Sequence, residues 1–375
     1  MTGTPLTHSE RVLIQLVAKA INDGYNLALD DFKDVNWEKV LKLSVRQSVV
    51  GVAYDAIESL PAELRPERPI LLRWIGYVAR MEGMYERYRE TVFSLADFYA
   101  ENGYKMMLLK GYGLSSCYPV PERRPTGDID IFLGREGATP PFGQKDVWKD
   151  ADRVLQDKLG INVDNTHHHH SVFVYNRYSV ENHFDFINVY DHKSSRKFEK
   201  LFKQMVAEAY KTHPECLNLY LPSDDFNALF LLKHCSGHFA STEINLRQVL
   251  DWLLFIRTHH DTIDWERLYA SLQEFGLTRF ANILSAIGVS YLGMYSEEFY
   301  ALDEDDALIL RVLKDILSPE FKARENGTLL SGLWIKPRRF WHNRWKHRLC
   351  YSDSFVSSFI WSTYAKLLKP GHFRV

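Results

Sequence analysis

The sequence predicts an α+β protein in which a small mixed sheet lies between helical N- and C-terminal regions. Three observations carry this expectation. Apolar residues recur at helical spacing on both sides of the middle of the chain, as in Val12-Leu13-Ile14-Leu16-Val17 and from Leu246 to Thr258. The middle instead holds apolar or alternating runs too short for helices, from Lys105-Met106-Met107-Leu108-Leu109 to the stretch that ends at Phe186. At 375 residues the chain exceeds the usual size of a single core. The boundaries read from these patterns are 1–102, 103–195 and 196–375.

The elements follow in order. A first helix begins near Thr7 or Ser9, either of which is a suitable cap. A second runs from Trp37 through Ile57 and is ended by Pro61. A third spans about Leu71 to Asn102, and Gly103 stops it, because glycine accepts the left-handed turn after a helix. Lys105 to Leu109 is a short buried strand, Lys110-Gly111-Tyr112-Gly113 turns the chain, and Leu114 to Tyr118 is a short helix. After an irregular stretch holding Pro119, Pro121 and Pro125, Asp128 to Leu133 forms a second strand. Lys145 to Lys158 reads as a helix and Ile161 to Val163 as a short strand. Ser171 to Tyr175 and Tyr178 to Phe186 form a hairpin about Asn176-Arg177. Beyond Arg196 the pattern is helical throughout: Phe198 to Tyr210, Ser223 to Phe239, Leu246 to Thr258 and Trp265 to Phe275.

Composition narrows the function classes. A net charge of −2 gives no global attraction to nucleic acid, so any basic surface must be local. Cys117, Cys216, Cys235 and Cys350 form no Cys-x-x-Cys pair, which argues against structural zinc and against a disulfide framework. Free thiols, a start without a secretory pattern and no apolar run long enough for a bilayer point to a cytoplasmic protein with no membrane span.

The chemistry concentrates in Arg124-Pro125-Thr126-Gly127-Asp128-Ile129-Asp130-Ile131. Side chains alternate along a strand, so Asp128 and Asp130 share a face while Ile129 and Ile131 anchor the other. Adjacent carboxylates repel, and a hard divalent cation with oxygen ligands relieves that repulsion. On the second strand of the hairpin, Glu181, His183 and Asp185 alternate onto one face and offer a third carboxylate.

A glycine turn after an apolar strand, followed by hydrophobic-Asp-hydrophobic-Asp-hydrophobic, resembles the nucleotidyltransferase superfamily typified by DNA polymerase beta. The longer pattern of Leu109-Lys110-Gly111, Tyr118-Pro119, Arg124 and Gly127-Asp128-Ile129-Asp130 is similar to a bacterial branch described as uncharacterised nucleotidyltransferases. The likeness runs roughly from Trp37 to Asp251. It implies a polymerase-beta-type core that transfers NMP from an NTP to a hydroxyl or amine acceptor and releases pyrophosphate. It also implies Mg2+ or Mn2+ held by Asp128, Asp130 and Glu181, since the family has an acidic residue two before a His at this point; Asp185 is the runner-up. Lys110, Gly111, Gly113 and Arg124 are the expected nucleotide-binding residues, with His183 and Arg247 as further substrate contacts. The chain departs from the usual Gly-Ser or Gly-Gly by reading Gly-Tyr-Gly, with Ser115 and Ser116 further on, so the resemblance does not carry over the usual hydroxyl contact to phosphate.

Other features have plainer readings. His167 to His170 is expected to be a solvated loop rather than a transition-metal site. Arg247 and Asp251, four apart, are expected to pair along a helix. The basic, aromatic stretch from Trp334 to Arg348 is expected to pack its rings inward with its charges wet, and RNA is not the favoured partner. The rival to an enzyme is a non-catalytic nucleotide- or RNA-binding protein on the same fold.

Overall fold

Thr7 opens the first helix, His8–Ile21, through a reciprocal capping box in which its hydroxyl accepts from Glu10 N–H and the Glu10 carboxylate accepts from Thr7 N–H. The computed structural model describes residues 5–190, 192–321, 338–358 and 360–361. They divide into two compact units, each built from separated stretches of chain. One holds the described residues of Met1–Gly83, Ser116–Pro125 and Leu231–Tyr351; the other holds those of Met84–Ser115, Thr126–Phe230 and Ser352–Val375. Helical periodicity marks where a helix lies but not which helix it packs against.

The first unit is helical. The expected second helix is two, Trp37–Arg46 and Val50–Asp55, separated where Ser48 adopts a left-handed conformation at φ 55°. Trp74 is fully buried and donates its indole N–H to the Val50 carbonyl at 2.8 Å. Leu246–Thr258, Trp265–Phe275, Thr278–Leu292, Asp306–Leu317 and Arg344–Cys350 are further helices of this unit. The helix Arg68–Glu101 is unbroken and supplies residues to both units; Gly103, at φ 78°, follows its end as expected.

The second unit contains a seven-stranded mixed sheet. Its strands are β1 (Tyr104–Leu109), β2 (Ile129–Arg135), β3 (Val163–Asp164), β4 (His170–Tyr175), β5 (Tyr178–His183), β6 (Tyr210–His213) and β7 (Cys216–Pro222), ordered β3-β4-β5-β2-β1-β7-β6. β2 runs antiparallel to β1 and parallel to β5, with Asp130 opposite Glu181. Asn176 and Arg177 close the β4–β5 hairpin at φ 47° and 73°, the handedness that matches strand twist. Ile129, Ile131, Leu133 and Val180 belong to the core that Tyr88, Val92, Leu95 and Tyr99 of the long helix share with Val147, Ala151 and Leu155 of the helix Val147–Leu159. Phe132 packs elsewhere, 4.5 Å from the Phe186 ring, which also meets Phe202, Phe226 and Phe230.

Two differences from the expected elements bear on the site. The β6–β7 hairpin occupies a stretch expected to be helical or connecting. β7 pairs in parallel with β1, Met106 opposite Leu219, a long-range partnership that no local pattern announces. β5 ends at His183 rather than Phe186, because the N–H groups of Phe184 and Asp185 both turn onto the His169 carbonyl. Asn182, the polar exception on the apolar face, is fully buried and donates to Asp152 at 2.8 Å.

Among the described residues no helix is long and apolar enough to cross a membrane, and all four cysteines are free thiols. Of the basic aromatic stretch, Trp334 and Lys336 lie outside the described residues. Trp345 is half-buried beneath the Arg311 guanidinium, whereas Trp341 is exposed and Lys346, expected to be wet, is buried against Asp315.

Candidate functional site

Adjacent strands place the carboxylates. Parallel pairing of β2 with β5 sets Asp130 beside Glu181, and His183 follows two residues on along the same face. Ligand atoms of Asp130, Glu181 and His183 all lie within 4.8 Å of one another. His183 Nε2 is 3.1 Å from Asp130 Oδ1 and 3.4 Å from Glu181 Oε2. Its Nδ1–H donates to the Asp185 carbonyl at 3.2 Å, which aims Nε2 at the carboxylates. Asp128 stands one residue before β2, exposed, and outside this tight group.

The electrostatics show how closely the groups are coupled. Burial would raise the Asp130 carboxyl, but the Lys110 ammonium, 2.9 Å from Oδ1, and the His183 imidazole hold it well below the ordinary carboxylate range. Burial would likewise lower His183, yet its bonds to Asp130 and Glu181 push it up to about 9. Partial burial, then the charges of Glu181 and Asp130, raise Asp128. Asp128 therefore feels both carboxylates without touching the group they form.

The turn after β1 is shaped by two consecutive left-handed residues, Lys110 and Gly111, each at φ 53°. For lysine that conformation is unfavourable by roughly 1 kcal/mol, and the Nζ bond to Asp130 helps to hold it. A Cβ on Gly111 would stand 3.0 Å from the Tyr88 hydroxyl, which itself donates to the Asp128 carbonyl at 2.9 Å. Tyr88 thus ties the glycine turn to the start of β2. The turn is a 3-10 helix, Gly111–Cys117, and the Gly113 N–H closes onto the Lys110 carbonyl at 3.2 Å. That amide, expected to face phosphate, is used inside the turn.

The remaining expected residues divide sharply. Arg124 belongs to the first unit, where its side chain is 2% exposed and forms a two-pronged pair with Asp251, Nε to Oδ1 at 2.8 Å and Nη2 to Oδ2 at 3.0 Å. Arg247 reaches Asp251 Oδ2 at 2.9 Å, the pairing along the helix that its spacing suggested, and Tyr118 donates to Oδ1 at 2.7 Å. Arg124 is therefore committed to a buried carboxylate rather than set out for a phosphate. Asp185 lies past the end of β5 and is held by Lys203, so it does not converge with Asp130.

The histidine run is not a solvated loop. His170 opens β4 opposite His183 and is 7% exposed, while His169 is half-buried. Burial takes His169 far below the ordinary imidazole value and His170 down to about 4, against the opposing pull of Glu181. Strict alternation would have separated neighbouring histidines; His169 and His170 come together because His169 precedes the strand.

The family model described as "Uncharacterised nucleotidyltransferase" matches residues 33–288. The chain belongs to this family. No curated protein and no solved structure matches it. In this nucleotidyltransferase-family chain the matched span includes the whole sheet, the carboxylates and the Arg124–Asp251 pair, and it leaves out His8–Ile21 and Asp306–Leu317.

One group beside the site gives this family member a measurable pH signature. Glu199 is buried and accepts the Phe186 and Ile187 N–H groups at 2.9 and 3.2 Å. Burial, then the Asp185 charge, raise it from 4.5 to about 7. The folded state therefore keeps a proton that the unfolded chain releases between those values, so this group's contribution to stability falls as pH rises through that window. Glu199→Gln, which cannot titrate, is expected to remove that loss, roughly 1–3 kcal/mol between about pH 5 and about pH 8. Melting temperatures of both proteins across the range test it; parallel curves would show that Glu199 ionises normally.

Proposed function

We propose that this chain transfers the NMP group of an NTP to a hydroxyl or amine acceptor, releasing pyrophosphate, on a core of the DNA polymerase beta type. The observation that supports the reading is the convergence of Asp130 and Glu181 from parallel neighbours, with Asp128 electrostatically coupled to both. Oxygen donors in this number suit a hard divalent cation. Burial first, and then the charges of Glu181 and Asp130, raise Asp128, and such a cation would relieve the repulsive part. Asp128, Asp130 and Glu181 would hold Mg2+ or Mn2+. Bound there, the ion would supply charge neutralisation on the phosphoryl oxygens and the departing pyrophosphate.

The chain's own groups do the rest. Lys110, now on Asp130, would turn its ammonium to a phosphate oxygen when a cation satisfies that carboxylate. Gly111 keeps the turn free of a side chain that would strike Tyr88. His183 fixes the orientation of both carboxylates through Nε2. The acceptor oxygen or nitrogen forms a bond to the α-phosphorus, the bond to the pyrophosphate oxygen breaks, and the acceptor proton passes to a base.

Calorimetry with a non-hydrolysable NTP tests the reading, using the full chain in magnesium and again in EDTA. Saturable binding that requires the metal is expected. With α- and γ-labelled NTP and a panel of sugar, antibiotic, protein and RNA acceptors, the α-label should move to the acceptor while the γ-label leaves as pyrophosphate. NTP binding that is absent, or indifferent to magnesium, would sink the proposal.

A further inference from the structure

Beside the carboxylates lies a second convergence that nucleotidyl transfer does not call for. One nitrogen from each of His169, His170 and His183 lies within 4.8 Å of the others. The rings of His169 and His170 stand 4.2 Å apart, and those of His170 and His183 stand 5.2 Å apart. The backbone fixes the arrangement. His170 pairs with His183 across the β4–β5 ladder, and the His169 carbonyl accepts two N–H groups, from Phe184 and Asp185.

Bringing three imidazoles together away from water is costly unless their polar nitrogens are satisfied. Here they are not. Nδ1 of His169 and Nδ1 of His170 are buried with no hydrogen-bond partner among the described residues. Glu181 Oε2 lies 3.7 Å from His170 Nδ1, beyond hydrogen-bonding reach. His170 itself is more than nine-tenths buried. A buried, partnerless nitrogen in a cluster of its own kind is what remains when the partner is a cation. Three imidazoles with a carboxylate alongside are the donor set of zinc-class ions, whereas magnesium prefers oxygen.

The geometry points to a transition-metal site in which His169, His170 and His183 bind a zinc-class divalent ion, with Glu181 or water completing its coordination. Sharing His183 places this ion next to the Asp130–Glu181 group. The assignment does not depend on nucleotidyl transfer, since the metal alone is the ligand.

The test uses the full chain, stripped with a chelator, dialysed, and titrated with Zn2+ by calorimetry and with Co2+ by absorption spectroscopy. One saturable equivalent is expected, with the intense visible bands of four- or five-coordinate cobalt. His169→Ala combined with His170→Ala should weaken zinc binding by more than about 100-fold, since even groups that only orient a ligand are worth about 10–100-fold. His167→Ala combined with His168→Ala should leave the affinity unchanged. Equal losses in the two double variants would assign the binding to a generic histidine run and overturn the site. So would a wild-type chain that binds neither metal. If the first double variant does not fold, X-ray absorption of the zinc-loaded wild type decides: three imidazole ligands are expected, and one or none rejects the assignment.

Discussion

Asp130→Asn is expected to lower nucleotidyl transfer by about a thousand-fold or more, equivalent to about 4 kcal/mol of lost transition-state stabilisation. The substitution keeps the shape of the side chain and removes the charge. Asp130 is the carboxylate on which the site converges: Lys110 and His183 both bond to it, and Glu181 stands opposite on β5. Glu181→Gln should cause a loss of similar size. Asp185→Asn should stay within about ten-fold of the parent, because removing a charge already paired outside the group changes little of what the reacting phosphate meets. The measurement is the rate of α-label transfer from NTP under saturating magnesium, with melting curves run alongside. A large loss in Asp185→Asn with a mild one in Glu181→Gln would exchange their roles; three mild losses would move the chemistry elsewhere.

Asp251→Ala is expected to destabilise the protein by about 3–5 kcal/mol, read as a fall in melting temperature of roughly 4–6 °C for a chain of this length. The carboxylate accepts from Arg124, Arg247 and Tyr118 at once, and the Arg124 side chain is 2% exposed. Removing the acid leaves a buried guanidinium without its anion, and that uncompensated charge is the source of the cost. Replacing both members, Arg124→Met with Asp251→Leu, should recover much of the loss, because no lone charge is left behind. If the double variant is no more stable than Asp251→Ala, the cluster contributes through its packing rather than its charges.

The two predictions separate what the sequence marks from what it hides. Asp130 and Glu181 were legible because a strand's two-residue period is a local rule that puts Glu181 with His183 and turns Asp130 away from Ile129 and Ile131; Asp128 falls one residue before β2, where that rule no longer governs it. Which acid joins Asp130 was not local. Glu181 and Asp185 are equivalent under alternation, and the choice falls to a turn that two N–H groups make onto the His169 carbonyl, ending β5 at His183. Arg124 was singled out by a motif, but a motif carries residue type and not surroundings. Its commitment to Asp251 joins positions 127 residues apart in the chain. The β6–β7 hairpin is different: Leu217-Asn218-Leu219-Tyr220-Leu221 alternates and pairs locally with β6, and only its parallel place beside β1 is a long-range matter.

The histidines make the boundary sharpest. By itself the sequence determined that four imidazoles lead into a strand, that acids alternate on the strands nearby, and that helices flank a mixed sheet, all consequences of spacing along the backbone. Only tertiary structure decided that His169 and His170 turn inward to meet His183, that Lys110 closes on Asp130, and that Arg124 is sealed against Asp251. Each of those depends on burial and on partners distant in sequence, and the free energy of a polar group is set by its surroundings rather than by its neighbours along the chain.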